Sequence, residues 1–327
     1  MSDRVLITGA SGFLGYHLLL SALQQNLEVF AAVRKNSKID HLKELPIKYL
    51  FLDYDDVDSM TTLLAENKIN YIIHAAGVTK AVKQKTYNDI NSTYSVNLAK
   101  AALALGSTFR KMVFISSLAS IGPLNDFENN ITEQTVPTPV TAYGRSKLLA
   151  ENELAKIRIP LIVLRPTAVY GPRDKDIFIM LKTVSKGFDP YIGKILQQLS
   201  FVHVSDVANV AVQSLFVINT GAYNITDGNC YSRYQFADIV KVILNKKAIR
   251  FHIPMPIIKA LAYFLESFNS LINKPAVISR EKLFELAATN WICDISKAKN
   301  ELNYIPKYNL ESGLKDSIIW YQKNKLM

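Results

Sequence analysis

Short apolar runs alternate with segments of helical periodicity over the first half of the chain. Helical spacing is clear through Leu14, Leu18 and Leu23, and again over residues 88–105 and 143–156. The apolar runs have the length and composition of buried strands, and they lie at residues 5–7, 29–33, 49–52, 71–73, 111–115 and 161–164. Continuous apolar strands separated by helices are typical of a parallel sheet with helices on both faces. The pattern therefore predicts an α/β fold with a doubly wound parallel sheet.

The second half of the chain is less regular and predicts a smaller, mostly helical lobe. We assign residues 1–170 and 201–228 to the sheet domain, and residues 171–200 and 229–327 to a lobe that binds the substrate. Residues 253–265 predict a helix packed on the core; an apolar lip of a substrate pocket and a weak contact with a membrane surface are the alternatives. The prolines that interrupt this half are Pro166, Pro172, Pro190, Pro254, Pro256 and Pro275.

Composition and charge narrow the class of protein. Of the 327 residues, 49% are hydrophobic, and the formal net charge is +10. The lysines are spread along the chain rather than clustered, so we predict no nucleic-acid partner and a surface that favours small anionic ligands. The two cysteines imply no disulfide framework. No signal peptide and no apolar stretch of spanning length is apparent, which predicts a cytoplasmic protein without stable membrane insertion.

A glycine-rich turn joins the first predicted strand to the first predicted helix. It reads Thr8-Gly-Ala-Ser-Gly-Phe-Leu-Gly15. In this position Gly9 makes the tight turn, Gly12 lets the backbone approach a pyrophosphate at the helix N-terminus, and Gly15 lets helix and strand pack closely. The turn therefore predicts a dinucleotide-binding domain of the Rossmann type.

The end of the second predicted strand bears on which dinucleotide binds. NAD sites place a carboxylate there for the ribose hydroxyls, whereas here Arg34 and Lys35 follow the strand. The planar Arg34 guanidinium suits a 2′-phosphate, so NADP(H) is favoured and NAD(H) is the alternative. Asp53 ends the third strand and is a candidate acceptor for the adenine amino group; a simple turn role is the alternative.

A tyrosine and a lysine four residues apart, Tyr143 and Lys147, share one face of a predicted helix. Carbonyl reduction needs a proton donor beside the carbonyl oxygen, and a nearby ammonium is expected to bring the pKa of a phenol down towards neutral pH. Ser116 and Ser117 end a strand at the sheet edge where ligands bind, so a hydroxyl there can polarise the substrate oxygen. The five histidines show no ligand spacing, and no metal site is predicted.

Taken together, these motifs resemble the extended short-chain dehydrogenase/reductases, the NAD-dependent epimerase/dehydratase superfamily. The matching segments are TGASGFLG at 8–15, HAAG at 74–77, FISS at 114–117, YGRSK at 143–147, LRPTAVYGPRD at 164–174, FVHVSDVA at 201–208 and WICDISKAKNEL at 291–302. The resemblance implies that Tyr143 is the general acid/base, that Lys147 is its partner, and that Ser117 orients the carbonyl. It further implies cofactor contacts from Gly9, Ser11, Gly12, Phe13, Leu14, Gly15, Arg34, Asp53, Tyr54, Ala75, Ala76, Gly77, Asn91, Lys147 and Pro166.

Departures from the family pattern bear on the substrate. Dehydratases carry an Asp-Glu pair where this chain has Leu118 and Ala119, and sugar-nucleotide enzymes carry an asparagine where it has Ala168. They also carry an arginine where residues 197–200 read Gln-Gln-Leu-Ser. With the apolar residues 253–271, which include Met255, Phe264 and Phe268, these departures favour an apolar carbonyl or secondary alcohol.

The resemblance leaves more than one function open. The branches that look nearest are the 3β-hydroxysteroid dehydrogenases and the dihydroflavonol reductases, which implies an oxidoreductase acting on a small molecule. The alternatives are a nucleotide-sugar epimerase and, from another class, a non-catalytic NADP(H)-binding sensor or scaffold. A homodimer through the helices near Asn91 and Tyr143 is also implied.

Overall fold

The computed structural model describes residues 2–271 and 280–327, with side chains described for 2–264 and 281–327. Its strands are Arg4–Thr8 (β1), Glu28–Ala32 (β2), Lys48–Leu50 (β3), Tyr71–His74 (β4), Lys111–Ile115 (β5), Leu161–Pro166 (β6), Ala168–Tyr170 (β7), Phe188–Ile192 (β8), Gln198–Leu199 (β9), Phe201–His203 (β10), Gly221–Ile225 (β11), Tyr231–Ser232 (β12) and Ile249–Ile253 (β13). Its helices are Phe13–Gln24 (α1), Val57–Glu66 (α2), Gln84–Asn88 (α3), Tyr94–Leu103 (α4), Ala142–Leu154 (α5), Asp176–Ser185 (α6), Val204–Gln213 (α7), Gln235–Leu244 (α8), Met255–Leu271 (α9), Arg280–Ala287 (α10), Ser296–Leu302 (α11) and Leu310–Lys323 (α12).

Seven strands form the main sheet, in the order β11-β6-β5-β4-β1-β2-β3. Every neighbouring pair in it is parallel. The chain runs outwards from β1 through β2 to β3, and then from β4 through β5 and β6 to β11. The direction of winding therefore reverses between β1 and β4, where Thr8 lies opposite His74. The carboxyl ends of strands at such a reversal form the ligand crevice of a doubly wound sheet.

Both faces of the main sheet are covered, because its strands are apolar on both sides. Val5 and Ile7 of β1 point into one hydrophobic core, which α1 and α7 complete. Leu6, between them, points into a second core formed with α2, α4 and α5. This alternation follows from the two-residue period of a strand. The predicted α/β class with a doubly wound sheet is confirmed.

The later part of the chain packs around a third core. Tyr170, Leu181, Val240 and Leu314 are buried there, so β7, α6, α8 and α12 form one unit. Small two-stranded sheets join β10 to β7, β12 to β9, and β13 to β8. The assignment of 1–170 with 201–228, and of 171–200 with 229–327, to separate domains stays a prediction.

Some elements differ in detail from the sequence-based expectation. The long helix expected over residues 88–105 begins earlier with α3, passes through a π-helical turn at Asp89–Thr93, and continues as α4 to Leu103. Helix α2 was not among the predicted elements; only Met60 and Leu64 of its ten residues are buried.

Helix α9 occupies the apolar segment that begins near residue 253. Ile258 and Ala262 are buried against Leu283 of α10, so part of the helix packs as expected. Phe268 lies outside the residues with described side chains. Within the described chain, no helix combines the length and the hydrophobicity needed to cross a bilayer.

Candidate active site

Two consecutive serines follow β5 at the carboxyl edge of the main sheet, and they face different surroundings. The Ser116 hydroxyl is buried and donates a hydrogen bond to Glu151 on α5. The Ser117 hydroxyl caps a 3₁₀ turn by accepting a hydrogen bond from the Ala119 N–H at 3.2 Å. Ser116 is therefore part of the core, whereas Ser117 is partly exposed at the edge where substrates reach such sheets.

Helix α5 brings Tyr143 to Ser117. Thr141 caps this helix by accepting a hydrogen bond from the Gly144 N–H at 3.0 Å, which places Tyr143 in the first turn. The Ser117 hydroxyl lies close enough to the Tyr143 phenol to influence its pKa. Burial raises the pKa of Tyr143 to about 12, and the Ser117 hydroxyl opposes that rise only in part. The phenol is therefore protonated at neutral pH, which is the form that a proton donor needs.

Lys147 lies one helical turn beyond Tyr143 and is only 4% exposed. Its ammonium donates a hydrogen bond to the Ile115 carbonyl oxygen at 2.8 Å and lies 4.7 Å from the centre of the Phe114 ring. Burial lowers the pKa of Lys147 to about 8, and the Glu151 carboxylate partly opposes that shift. The sequence predicts that the Lys147 ammonium governs the pKa of Tyr143; in this structure burial is the main cause of the shift, followed by Ser117, Glu285 and Tyr87, and Lys147 is not among the causes.

The low pKa of Lys147 predicts how stability changes with pH. An unfolded lysine keeps its proton to about pH 10.5, whereas folded Lys147 loses it near pH 8, so the unfolded state binds more protons between these values. This residue should therefore make the free energy of unfolding rise with pH across that window. Urea denaturation at several pH values should show the rise as a difference between the wild type and Lys147→Met, since all other groups titrate in both. An identical pH dependence in the two proteins would contradict the buried, easily deprotonated lysine.

The glycine turn has the geometry that a dinucleotide needs. Gly9 has φ +69°, and a Cβ there would lie 2.7 Å from the Ala75 backbone. A Cβ at Gly15 would lie 2.0 Å from the Gly9 carbonyl oxygen, so both positions require glycine. Gly12 is the N-cap of α1, and no side chain caps the helix and no acidic residue lies in its first turn. The backbone N–H groups at the start of α1, near Ser11, Phe13 and Leu14, therefore have no side-chain acceptor and can bind the anionic pyrophosphate.

Buried hydrogen bonds join the ends of β1 and β4 beneath this turn. The Thr8 hydroxyl accepts a hydrogen bond from the Ala76 N–H at 3.0 Å and lies 2.7 Å from His74 Nδ1. His74 Nε2 lies 2.9 Å from the Ser95 hydroxyl of α4. Burial lowers the pKa of His74 to about 3, so the imidazole is neutral. His74 is thus a structural residue that helps to fix the backbone at residues 75–77 through Thr8.

Asn91 links that backbone segment to helix α5. Its Oδ1 accepts a hydrogen bond from the Val78 N–H at 2.8 Å, and its Nδ2 donates to the Val78 carbonyl at 3.0 Å and to the Ser146 hydroxyl at 2.9 Å. A Cβ at Gly77 would lie 2.9 Å from Asn91 Oδ1 and 3.5 Å from Lys147 Nζ. Asn91, Gly77 and Lys147 therefore meet at one point in the crevice between β1 and β4.

Arg34 and Asp53 lie on neighbouring strand ends and are exposed. The Arg34 N–H donates to the Ser37 hydroxyl at 3.0 Å, and its guanidinium forms no ion pair in the described part of the chain. Asp53 Oδ1 accepts a hydrogen bond from the Asp55 N–H at 3.1 Å, which fits a turn role, and the contact of Asp53 with adenine stays a prediction. Arg34 is thus free to bind an anion.

Tyr54 and Pro166 lie at two further strand ends. The Thr8 hydroxyl partly opposes the rise that burial causes in the pKa of Tyr54, and the Tyr54 ring stacks on Tyr94 with centroids 5.2 Å apart. Pro166 is buried at the end of β6, beside β5. Both positions border the crevice in which the predicted cofactor residues meet.

The sequence analysis missed a buried ion pair behind the site. Glu151 Oε2 lies 3.0 Å from Arg165 Nε and 2.5 Å from its Nη2. Glu151 also accepts hydrogen bonds from Ser116 and, at 2.7 Å, from Ser120. Two signals were present: Glu151 continues the four-residue spacing of Tyr143 and Lys147, and Arg165 is a charge that directly follows an apolar strand.

Two further residues that position α5 were also missed. A Cβ at Gly144 would lie 2.2 Å from the Ala119 carbonyl oxygen, so this glycine allows α5 to approach the turn after Ser117. Glu281 of α10 accepts a hydrogen bond from the Ala142 N–H at 2.5 Å and pairs with Arg145 at 2.5 Å. Nothing in the local sequence indicates a contact between residues this far apart in the chain.

Among the residues that the structure describes, no cluster of His, Cys, Asp or Glu side chains could hold a metal ion.

The model for the NAD dependent epimerase/dehydratase family matches residues 5–226. A ceramide reductase of Caulobacter vibrioides is 24% identical over 97% of this chain and 94% of its own. A UDP-glucose 4-epimerase of Vibrio cholerae is 26% identical over 97% of this chain and 95% of its own. The crystal structure of a Thermotoga maritima UDP-glucose 4-epimerase with UDP-glucose superposes with a TM-score of 0.80 at 19% identity, covering 98% and 99% of the two chains.

Proposed function

Since the chain belongs to the NAD-dependent epimerase/dehydratase family and is an extended short-chain dehydrogenase/reductase, we propose that it interconverts a carbonyl and a secondary alcohol of an apolar small molecule, with NADP(H) as cofactor. The observation that carries the proposal is that the Ser117 hydroxyl acts on the pKa of the Tyr143 phenol at the carboxyl edge of the sheet, with the buried Lys147 ammonium one turn away. A sensor or scaffold does not require a proton donor beside a second hydroxyl and an ammonium group, and the family consists of enzymes.

The residues of the crevice fit a nicotinamide dinucleotide. The uncapped first turn of α1 would hold the pyrophosphate, Arg34 a 2′-phosphate, and Lys147 the nicotinamide ribose. When bound, the nicotinamide supplies or accepts the hydride. Gly9 and Gly77 let the backbone along this edge pack closely against Ala75 and Asn91, where a Cβ would collide.

Tyr143 and Ser117 would handle the substrate oxygen. In the reducing direction the Tyr143 phenol gives its proton to the carbonyl oxygen, and the Ser117 hydroxyl donates a hydrogen bond to the same atom. The phenolate that forms is stabilised by the positive charge of Lys147, which is buried and therefore weakly screened. In the oxidising direction the phenolate takes the hydroxyl proton of the alcohol.

The surroundings of the site support an apolar substrate. Leu118 and Ala119 are buried beside Ser117, so no acid/base pair for eliminating water stands there. Gln197 begins the segment 197–200, which lacks the arginine typical of sugar-nucleotide enzymes, and its Nε2 donates to the Leu286 and Ala288 carbonyls at 2.8 and 2.7 Å. It is therefore engaged in holding α10. One relative is named for ceramide, a lipid.

A nucleotide-sugar epimerase is the second candidate. It would use the same tyrosine, serine and lysine, and the Vibrio cholerae relative has this activity by name. The two candidates differ in one measurable respect: a reductase consumes NADPH stoichiometrically with its substrate, whereas an epimerase returns its hydride to the sugar.

Purified protein should be assayed with NADPH or NADH and a panel of steroid and aromatic ketones, and in parallel for interconversion of UDP-glucose and UDP-galactose. We expect NADPH oxidation with at least one apolar ketone and no sugar interconversion. Sugar interconversion without ketone turnover would replace our proposal with the epimerase. The homodimer through α4 and α5 and the cytoplasmic location remain predictions.

Arg34 gives a direct test of cofactor choice. Arg34→Ala should lower kcat/KM for NADPH by about 10- to 100-fold, because a charge-assisted bond to the 2′-phosphate contributes about 1.5–3 kcal/mol. The value for NADH should change little. Arg158→Ala, which removes another exposed arginine, is the matched control. An equal loss with both cofactors would show that Arg34 does not recognise the phosphate.

A further inference from the structure

One carboxylate oxygen binds both ends of the turn that carries Ser117. Glu151 Oε1 accepts a hydrogen bond from the hydroxyl of Ser116, directly before Ser117, and another at 2.7 Å from the hydroxyl of Ser120, where the 3₁₀ turn ends. Within the turn, the Ser120 N–H donates to the Ser117 carbonyl oxygen at 2.9 Å. Both flanking serines are buried. The backbone that presents the Ser117 hydroxyl is therefore held at both ends by a single atom.

Glu151 belongs to the helix that carries the other two residues of the proposed reaction. Tyr143, Lys147 and Glu151 follow one another at intervals of four residues along α5, so they share one face of it. The Lys147 ammonium donates a hydrogen bond to the Ile115 carbonyl oxygen at 2.8 Å, and Ile115 directly precedes Ser116. Helix α5 therefore binds the end of β5 and the turn after it through two consecutive turns of its own length.

Arg165 on β6 holds the Glu151 carboxylate in place. A carboxylate removed from water needs a cation beside it, and the two neighbouring donors of a guanidinium fix the plane of the carboxylate as well as its charge. Glu151 Oε2 makes the shorter contacts with Arg165, at 3.0 Å from Nε and 2.5 Å from Nη2, whereas Oε1 lies 3.2 Å from Nε. This pairing leaves Oε1 to accept the hydrogen bonds of Ser116 and Ser120.

The charge of Glu151 also reaches Lys147. Burial lowers the pKa of the Lys147 ammonium to about 8, and the Glu151 carboxylate opposes that shift. His74 is another titratable side chain near this ammonium, but burial lowers its pKa to about 3 and leaves it uncharged. The Phe114 ring, 4.7 Å from Lys147 Nζ, carries no charge. Glu151 therefore helps to keep Lys147 protonated at the pH at which the phenolate of Tyr143 would need a cation.

We propose that Glu151, paired with Arg165, is a positioning residue for the reaction, because it fixes the turn that carries Ser117 against the helix that carries the proton donor and its lysine. The inference rests on the proposed function, since it requires that these groups act on the substrate oxygen. Glu151 is buried behind them and acts through them. A carboxylate with a purely structural role would stabilise the fold alone, whereas a positioning residue also sets the rate of the reaction and its pH range.

Removing both charges of the pair separates positioning from stability. Glu151→Gln/Arg165→Met leaves no unpaired charge in the core, so the variant should fold, and thermal unfolding checks this. Its kcat for reduction of an apolar ketone should be about 10- to 100-fold below the wild type, with little change in the KM for NADPH, because a small displacement of reacting groups has an effect of this size. The decline of kcat with rising pH, which should begin near the Lys147 pKa of about 8 in the wild type, should move to lower pH. Glu153→Gln/Lys156→Met removes the exposed pair at the end of α5 and should match the wild type in kcat and in pH profile.

Ser120→Ala tests the turn without changing any charge, and it decides the question if the double variant unfolds. It removes one of the two hydrogen bonds to Glu151, so kcat should fall by about 2- to 10-fold, the equivalent of one hydrogen bond, while the pH profile stays in place. Wild-type kcat in Ser120→Ala or in the folded double variant, or an equal loss in Glu153→Gln/Lys156→Met, overturns the inference. A wild type that interconverts UDP-sugars but reduces no ketone contradicts the proposed function instead. The same variants then decide the positioning role on sugar interconversion, which would use the same tyrosine, serine and lysine.

Discussion

Tyr143→Phe should lower kcat for the reduction of an apolar ketone by about 10²- to 10⁴-fold, which is the usual contribution of a positioned proton donor. The substitution removes only the hydroxyl, so the ring still fills its place against α5. Burial keeps the Tyr143 phenol protonated at neutral pH, its pKa being raised to about 12, so the wild type holds the proton that the variant lacks. Steady-state kinetics with NADPH, together with NADPH affinity from a binding titration, should show the loss in kcat alone.

Tyr87→Phe is the matched control for that experiment. Tyr87 lies close enough to contribute to the pKa of Tyr143, but its hydroxyl accepts a hydrogen bond from the Ala81 N–H at 2.9 Å and so has a structural role. It should retain most of the activity. Full activity in Tyr143→Phe would remove Tyr143 from the mechanism, and equal losses in both variants would point to a general disturbance of the site.

Arg165→Met should lower the free energy of unfolding by about 3–5 kcal/mol, because it leaves the Glu151 carboxylate buried without its cation. Both side chains of this pair are nearly inaccessible, at 9% and 6% exposure. The hydroxyls of Ser116 and Ser120 would remain as hydrogen-bond donors but supply no charge. Urea denaturation measures the loss.

The surface pair of Lys156 with Glu153, at the end of the same helix, provides the comparison. Its side chains are 68% and 39% exposed, so Lys156→Met should cost less than about 1 kcal/mol. Glu151→Gln gives a separate readout, because the Glu151 carboxylate raises the pKa of Lys147. Its removal should start the pH-dependent rise in unfolding free energy at a lower pH. A cost for Arg165→Met no larger than that for Lys156→Met would show that the pair is not a structural anchor.

Local patterns in the sequence were enough to predict the architecture of the main sheet. A strand repeats every two residues, so Val5, Leu6 and Ile7 had to reach opposite faces, and a run that is apolar on both faces requires cover on both. A helix repeats every 3.6 residues, so Tyr143 and Lys147 had to share a face. The glycine turn is also a local property, because the positive φ at Gly9 favours glycine at that position.

What the sequence by itself determined is therefore the doubly wound sheet, the dinucleotide turn and the family to which the chain belongs. Only the tertiary structure decided that burial sets the pKa of Tyr143, that Glu151 pairs with Arg165, and that Glu281 reaches the first turn of α5 from the far end of the chain. The physical reason is that periodicity and turn conformation are properties of neighbouring residues, whereas desolvation and side-chain pairing arise between elements that only folding brings together.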